Sequence, residues 1–401
     1  MNAIPNATAT ADATAAATES TPAFTSRLPQ VGTTIFTVMS ALASETGAVN
    51  LGQGYPDFDC DPALLDHVND AMREGLNQYP PMPGVPQLRQ RVSDKVAAIY
   101  GLRYDANSEI TITAGATQAI LTAVLCCVSP GDEVIVLEPC YDSYAPSIEL
   151  AGGTVVRVPL TPGSFRPNFA RIAAALTPRT RLLMVNSPHN PSATVWTRAE
   201  MLQLADLLAP TQALLLSDEV YEHMVFDGAP HISAASIAAL ASRAFVVSSF
   251  GKTYHVTGWK VGYVAAPAAL TAEFRKVHQF NVFTVNTPMQ HALARHLADP
   301  APYLDLPAFY QRKRDLFLDG LKRTRLKPLH TQGSYFQLVD YSAVSDLPEG
   351  EFCLWLTREI GVAAIPVAAF YEGGFEQGLV RLCFAKQDST LQRALERLQR
   401  L

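Results

Sequence analysis

The chain has 401 residues, 48% hydrophobic and 17% charged, with a formal net charge of -6. That length allows two or three domains around a large core, and an acidic chain without a basic stripe is not built to hold nucleic acid. Six cysteines without CxxC spacing predict buried free thiols and a cytoplasmic setting, and no run approaches the roughly 20 apolar residues of a membrane span.

Residues 1–26 are small and polar, and the first 25 carry no lysine or arginine. This predicts a disordered extension without a signal-peptide n-region. From about residue 84 helical and strand-like segments alternate. Val85 to Tyr100 is amphipathic, 109–113 is β-rich, and GATQAILTAVLCCV reads as a helix. Strands are predicted at 132–138, 153–160, 180–186, 213–220, 244–249 and 260–267, with helices near 144–151, 168–176, 198–209 and 233–242 between them. Near-continuous apolar strands alternating with helices imply an α/β fold, a mostly parallel sheet sandwiched by helices. Helical stretches follow at 268–297 and 303–324. The pattern then becomes α+β: strand 334–339, helix 350–360, strand 379–384, helix 389–400. The expected organisation is an N-terminal arm at 27–54 that joins part of a small domain, a large domain at 55–297, and a small C-terminal domain at 298–401.

Ligands of parallel α/β sheets gather beyond the carboxyl ends of the strands. Four such stretches carry unusual residues. TITAGATQAI runs from a strand through Ala116 and Thr117 into a helix, whose free N–H groups suit a phosphate; an ordinary strand–helix turn would look the same. LLLSDEVYEHMVF ends an apolar strand on Asp218, with Tyr221 three residues on, and a helix-capping Asp would also fit. VNSPHNPSATVW sets Asn190 in an Asn-Pro loop, itself a common turn. GLVRLCFA buries Arg381 in an apolar strand, where a guanidinium needs an anion. To these SSFGKTYHVTGWKVGY adds Lys252 among aromatic and apolar residues, an unusual place for an ammonium unless the amine reacts. No HExxH or similar spacing proposes a metal site, and no GxSxG elbow occurs. His278, His291 and His296 read as helix-surface residues, and QRKRD (311–315) as a solvated helix face.

The order of these pieces resembles the fold-type I pyridoxal-phosphate enzymes, and specifically the class I/II aminotransferases, over nearly everything after residue 27. NSPHNPS resembles the family's Asn-Pro loop, SDEVYE its Asp-x-x-Tyr segment, and SSFGKTYHVTGWKVG its Schiff-base lysine segment. NLGQGYPDFD (50–59) and NQYPPMPGVPQLR (77–89) resemble the branch of methionine aminotransferases and kynurenine–glutamine transaminases. The resemblance implies pyridoxal 5′-phosphate as cofactor, and a ping-pong transfer of an amino group from an amino acid to a 2-oxo acid. It implies Lys252 as the covalent anchor and proton shuttle, with Asp218 on the pyridine nitrogen and Tyr221 and Asn190 on the phenolate oxygen. Tyr141 would stack on the ring. Ala116, Thr117, Ser249 and Lys260 would hold the phosphate, joined by Tyr79 from the second subunit of a homodimer. Arg381 would take the substrate α-carboxylate, with Gly54 and Tyr55 beside it. Two departures stand out: Lys260 where arginine is usual, and Ser192-Ala193 and His255 where Thr-Gly and a small residue are usual.

One arginine accounts for one carboxylate, and no motif places a second for a dicarboxylate. Tyr55 and Phe283 lie in stretches that this branch brings toward the site. An apolar, aromatic pocket predicts methionine as preferred donor, aromatic and neutral amino acids as secondary donors, and aspartate as a poor one. A C–S β-lyase of the same fold would need the same Lys, Asp and Arg.

Overall fold

The computed structural model describes residues 25–401. The extension expected over 1–26 therefore lies outside the described residues, except for its last two positions. A seven-stranded sheet forms the centre, in the order 110–113, 262–265, 244–249, 214–218, 180–186, 133–138, 154–159. Only Gly262–Ala265 runs antiparallel to its neighbours; the remaining pairs are parallel. Two inner strands, Glu133–Glu138 and Ala244–Ser249, are buried along their whole length, and the others nearly so. Such strands need helices on both faces, and the chain supplies them between consecutive strands. Helix Gly115–Cys127 packs Ala119, Ile120, Ala123 and Val124 against one face. Met201, Leu204 and Leu208 of helix Arg198–Leu208 cover the other.

A second core gathers the C-terminal third. Its four-stranded sheet runs in the order 365–366, 379–383, 336–340, 327–328. Helix Asp388–Leu398 buries Leu391, Leu395 and Leu398 there. The N-terminal part of the described chain belongs to the same core: helix Ile35–Thr46 buries Met39, and Val49–Asn50 pairs in parallel with Val362–Ala363. Among the described residues no helix is long and apolar enough to cross a membrane.

Four expectations need correction. The helical stretch 268–297 is two helices, Ala268–Asn281 and Thr287–His296, because Phe283 adopts a left-handed φ of 66° and Asn286 caps a new start. His278 and His296 are buried and not on a helix surface. His278 stacks on Phe274 and meets Gln118 at 3.2 Å, while His296 lies edge-on to Tyr254. The QRKRD segment is not wholly solvated, since Arg314 is buried over Phe226 and forks onto Asp227 at 2.6 and 2.7 Å. All six cysteines are free, but only Cys353 and Cys383 are buried.

Candidate active site

The carboxyl ends of the parallel strands open into a cavity of about 340 Å³. Gly54, Ala116, Thr117, Tyr141, Asn190, Asp218, Tyr221, Ser249, Lys252, Lys260 and Arg381 all line it. The fold brings eleven expected site residues to one place, most of them at or near strand ends of the central sheet, with Arg381 reaching in from the middle of strand Leu379–Cys383 of the small sheet. Tyr79, Tyr55 and Phe283 are not brought there within the single chain. Tyr79 is 83% exposed and meets Phe283 edge-on, with centroids 5.4 Å apart. Tyr55 is half-exposed beneath the Lys386 ammonium, which lies 4.9 Å from its ring.

One end of the cavity suits an anion. Helix Gly115–Cys127 starts there without a side-chain cap, so its first N–H groups are left for a ligand. Gly115 has φ 75°, and a Cβ built on it would lie 3.4 Å from Lys260 Nζ. Lys260 itself adopts a left-handed φ of 54°, which turns its chain toward the helix start. Ser249, ending its strand, adds a hydroxyl to the same end.

Asp218 ends strand Leu214–Asp218 and is buried. Tyr144 donates to its Oδ2 at 2.6 Å, and the Val220 N–H donates to Oδ1 at 3.3 Å. Burial nevertheless pushes the carboxyl up to about 6. It is a buried acid short of a cationic partner. A protonated ring nitrogen would supply one.

Arg381, in strand Leu379–Cys383, has the opposite need. Its Nη1 donates to Asn190 Oδ1 at 2.7 Å, its Nη2 donates to the Gly52 carbonyl at 2.8 Å, and its buried Nε has no partner. The guanidinium lies 3.9 Å over the Phe336 ring, with Phe36 and Phe370 within 5.3 Å. Burial lowers its pKa, as expected for a cation without its anion. Asn190 is positioned in turn by Asn186, whose Oδ1 accepts from the Asn190 N–H at 2.8 Å.

Lys252 follows strand Ala244–Ser249 on a short helical turn. Its Nζ donates to Tyr335 Oη at 2.8 Å and to the Gly54 carbonyl at 3.1 Å. Burial lowers the amine to about 8; Arg381 and Lys260 lower it further, while Cys383 and Asp218 work against them. Near neutral pH part of this amine is unprotonated, the form a nucleophile or base requires. Burial raises the Tyr221 phenol, so it stays a neutral donor. Gly54 has no room for a side chain, since a Cβ there would meet Phe336 Cζ at 2.8 Å.

Sequence reasoning does not reach Tyr335, Tyr144 or Phe336. Tyr144 lies inside the EPCYDSY stretch that supplies Tyr141, and a second tyrosine three residues on is a local signal for it. Nothing in the order of residues joins Tyr335 to a lysine 83 positions earlier.

A basic, uncapped helix start, a buried acid needing a cation, an amine made easier to deprotonate by burial and a guanidinium with a free Nε together fit a phosphorylated pyridine aldehyde and an amino-acid carboxylate. Fold and cavity chemistry alike are those of the pyridoxal-phosphate-dependent aminotransferases of fold type I. Residues 46–398 match the family described as aminotransferase class I and II, and the chain belongs to it. It is 53% identical to the methionine aminotransferase of Escherichia coli, over 94% of this chain and 98% of that one. A crystal structure from Escherichia coli, reported to identify a methionine aminotransferase function, superposes with a TM-score of 0.94 and 52% identity, covering 95% of this chain and 100% of that one. The N-succinyldiaminopimelate aminotransferase structure from Mycobacterium tuberculosis gives a TM-score of 0.91 at 40% identity, with 94% and 99% covered. Human kynurenine–oxoglutarate transaminase 1 is 34% identical over 90% of this chain and 93% of its own length.

Proposed function

We propose that the chain transfers the amino group of methionine, and secondarily of aromatic and neutral amino acids, to a 2-oxo acid. The observation that carries this donor preference is the charge lining the cavity. Beyond Lys252 and Lys260, Arg381 is the one cationic side chain among the lining residues, while Phe36, Ile120, Tyr141 and Phe336 give it an apolar wall. Asp142 also lines the cavity, so a second substrate carboxylate would meet like charge. Burying a thioether or ring gains roughly 25 cal/mol per Å² of apolar area, and an unpaired carboxylate would lose far more. The likeness to methionine aminotransferase supports the same reading.

Bound pyridoxal phosphate supplies an electron sink for negative charge at the substrate Cα. In our reading Ala116, Thr117, Ser249 and Lys260 bind the phosphate, and Tyr141 covers the ring. Asp218 would keep a proton on the ring nitrogen, while Tyr221 and Asn190 would hydrogen-bond the ring oxygen. Arg381 fixes the substrate carboxylate against Gly54. The Lys252 Nζ would anchor the cofactor and take the proton from the substrate Cα.

The same reading makes the working unit a cytoplasmic homodimer, with Tyr79 completing the phosphate site of the partner. The exposure of Tyr79 and Phe283, which meet edge-on, supports a covered face there. We divide the chain into a large domain at 55–297 and a small domain formed by 27–54 with 298–401; the shared core of Met39, Val49 and the C-terminal third supports that division. The test is a half-reaction screen, in which the loaded enzyme meets single amino acids and its cofactor absorbance is followed. Methionine should lead in catalytic efficiency and aspartate trail. Aspartate ahead of methionine and phenylalanine would refute the preference. Pyruvate and ammonia released without an added oxo acid would indicate a lyase.

A further inference from the structure

A transaminating lysine is bonded to the cofactor for only part of the cycle. For the rest, its amine is loose in a buried cavity, where an unpartnered amine is costly and a wandering one is useless. Two groups of the protein stand ready to receive it. Lys252 Nζ donates to Tyr335 Oη at 2.8 Å and to the Gly54 carbonyl at 3.1 Å, and the Tyr335 hydroxyl donates to that same carbonyl. The three groups close a triangle.

Tyr335 is held rigidly in this role. It is fully buried, and its ring lies edge-on to Tyr221 at 5.1 Å and to Phe336 at 4.9 Å, and tilted on Tyr310 at 5.8 Å. Its backbone neighbour Phe336 pairs with Cys383, two residues past Arg381. The hydroxyl is thereby tied to the strand that carries the substrate carboxylate's cation. Gly54 is held as closely, since any Cβ there would strike Phe336.

We propose that Tyr335 is a positioning residue: its hydroxyl, together with the Gly54 carbonyl, docks the Lys252 amine whenever that amine is not bonded to the cofactor. The proposal rests on the reading of Lys252 given above. Because the Tyr335 O–H is spent on Gly54, the phenol oxygen can only accept from Lys252, and such a contact favours the protonated amine. The other titratable or charged groups facing Nζ are Asp218, Arg381, Lys260 and Cys383, with Tyr221 alongside. All of them remain when Tyr335 is replaced by Phe, which conserves the packed ring.

The test uses the full chain freed of cofactor. Capture of pyridoxal 5′-phosphate is followed by absorbance across pH for the wild type, Tyr335→Phe and Lys252→Ala. In the wild type the capture rate should rise with a midpoint near the value of about 8 set by Lys252. In Tyr335→Phe the midpoint should fall by about one pH unit, the size expected for losing one hydrogen bond to a charged group. In the methionine half-reaction its kcat should drop about tenfold or more while KM stays within about twofold. An unmoved midpoint overturns the proposal, whatever happens to kcat. If the wild type captures no better than Lys252→Ala, the reading of Lys252 fails instead. Should Tyr335→Phe not fold, a crystal structure of the wild type with pyridoxamine 5′-phosphate decides. Lys252 Nζ within hydrogen-bond distance of Tyr335 Oη supports the dock, and an amine turned away from it overturns the dock.

Discussion

Arg381→Lys isolates what a planar guanidinium does that a point charge cannot. In the wild type Nη1 and Nη2 each spend one hydrogen on the protein, at Asn190 Oδ1 and the Gly52 carbonyl. That leaves the Nε–H and one hydrogen on each Nη for a carboxylate, enough for a two-bonded fork. A lysine has three hydrogens at one point and cannot serve Asn190, Gly52 and both carboxylate oxygens together. The variant should lose one to two charge-assisted hydrogen bonds to substrate, each worth about 1.5–3 kcal/mol. At about 1.4 kcal/mol per factor of ten, kcat/KM for methionine should fall by roughly 10–10⁴. The carboxylate is held in ground and transition states alike, so most of the loss should appear in KM. The assay is the single-turnover half-reaction followed by cofactor absorbance, with 3-methylthiopropylamine, which has no carboxylate, as the control. Efficiency within about threefold of wild type on methionine would rule out the fork, as would an equal loss on the control amine.

The acid limb of cofactor binding belongs to Asp218. Its carboxyl, raised to about 6, is charged above that pH and neutral below it, so the affinity of the cofactor-free protein should weaken as pH falls through 6. Asp218→Asn should flatten that limb in a fluorescence titration and slow turnover by at least about 10²-fold. A second buried network lies behind the site, where Lys95 Nζ donates to Glu222 Oε1 at 2.6 Å and Tyr263 shares the same oxygen at 3.1 Å. Burial opposes the Glu222 charge, but Lys95 above all overcomes it and holds the carboxyl well below its ordinary range. A depressed carboxyl gives stability that is present above its ordinary value of 4.5 and lost as pH falls below it. Glu222→Gln should therefore cost about 3–5 kcal/mol in urea unfolding at pH 7, with a smaller difference at pH 3. Tyr79→Phe should speed cofactor loss on dialysis while leaving the melting temperature within a degree or two. An active monomer by light scattering would contradict a shared site.

The chemistry was legible because fold and function put their signals in the same places. Asp218 and Ser249 end near-continuous apolar strands of the central sheet and Asn190 follows another, while Arg381 stands out as a charge inside an apolar strand of the small sheet. What escaped depends on partners distant in sequence. Arg314 reads as a surface charge until Asp227, 87 positions earlier, forks onto it. His278 reads as a helix-surface residue until Gln118 packs against it. The break after Asn281 had a local signal, because Asn286 and Pro288 form a cap with a proline in the first turn. Tyr335 had none, since its importance arises only when the small sheet is laid against Gly54. Tyr55, Phe283 and Tyr79 do not line the cavity of the single chain.

The assignment of Lys252 as the covalent anchor is tested most directly by trapping the link between cofactor and protein. The loaded enzyme is reduced with borohydride, digested, and searched by mass spectrometry for the phosphopyridoxyl adduct. That adduct should lie on the peptide carrying Lys252, with Lys260 unmodified and the label absent from Lys252→Ala. An adduct on Lys260, on Lys386 or on no lysine of the cavity would contradict the assignment.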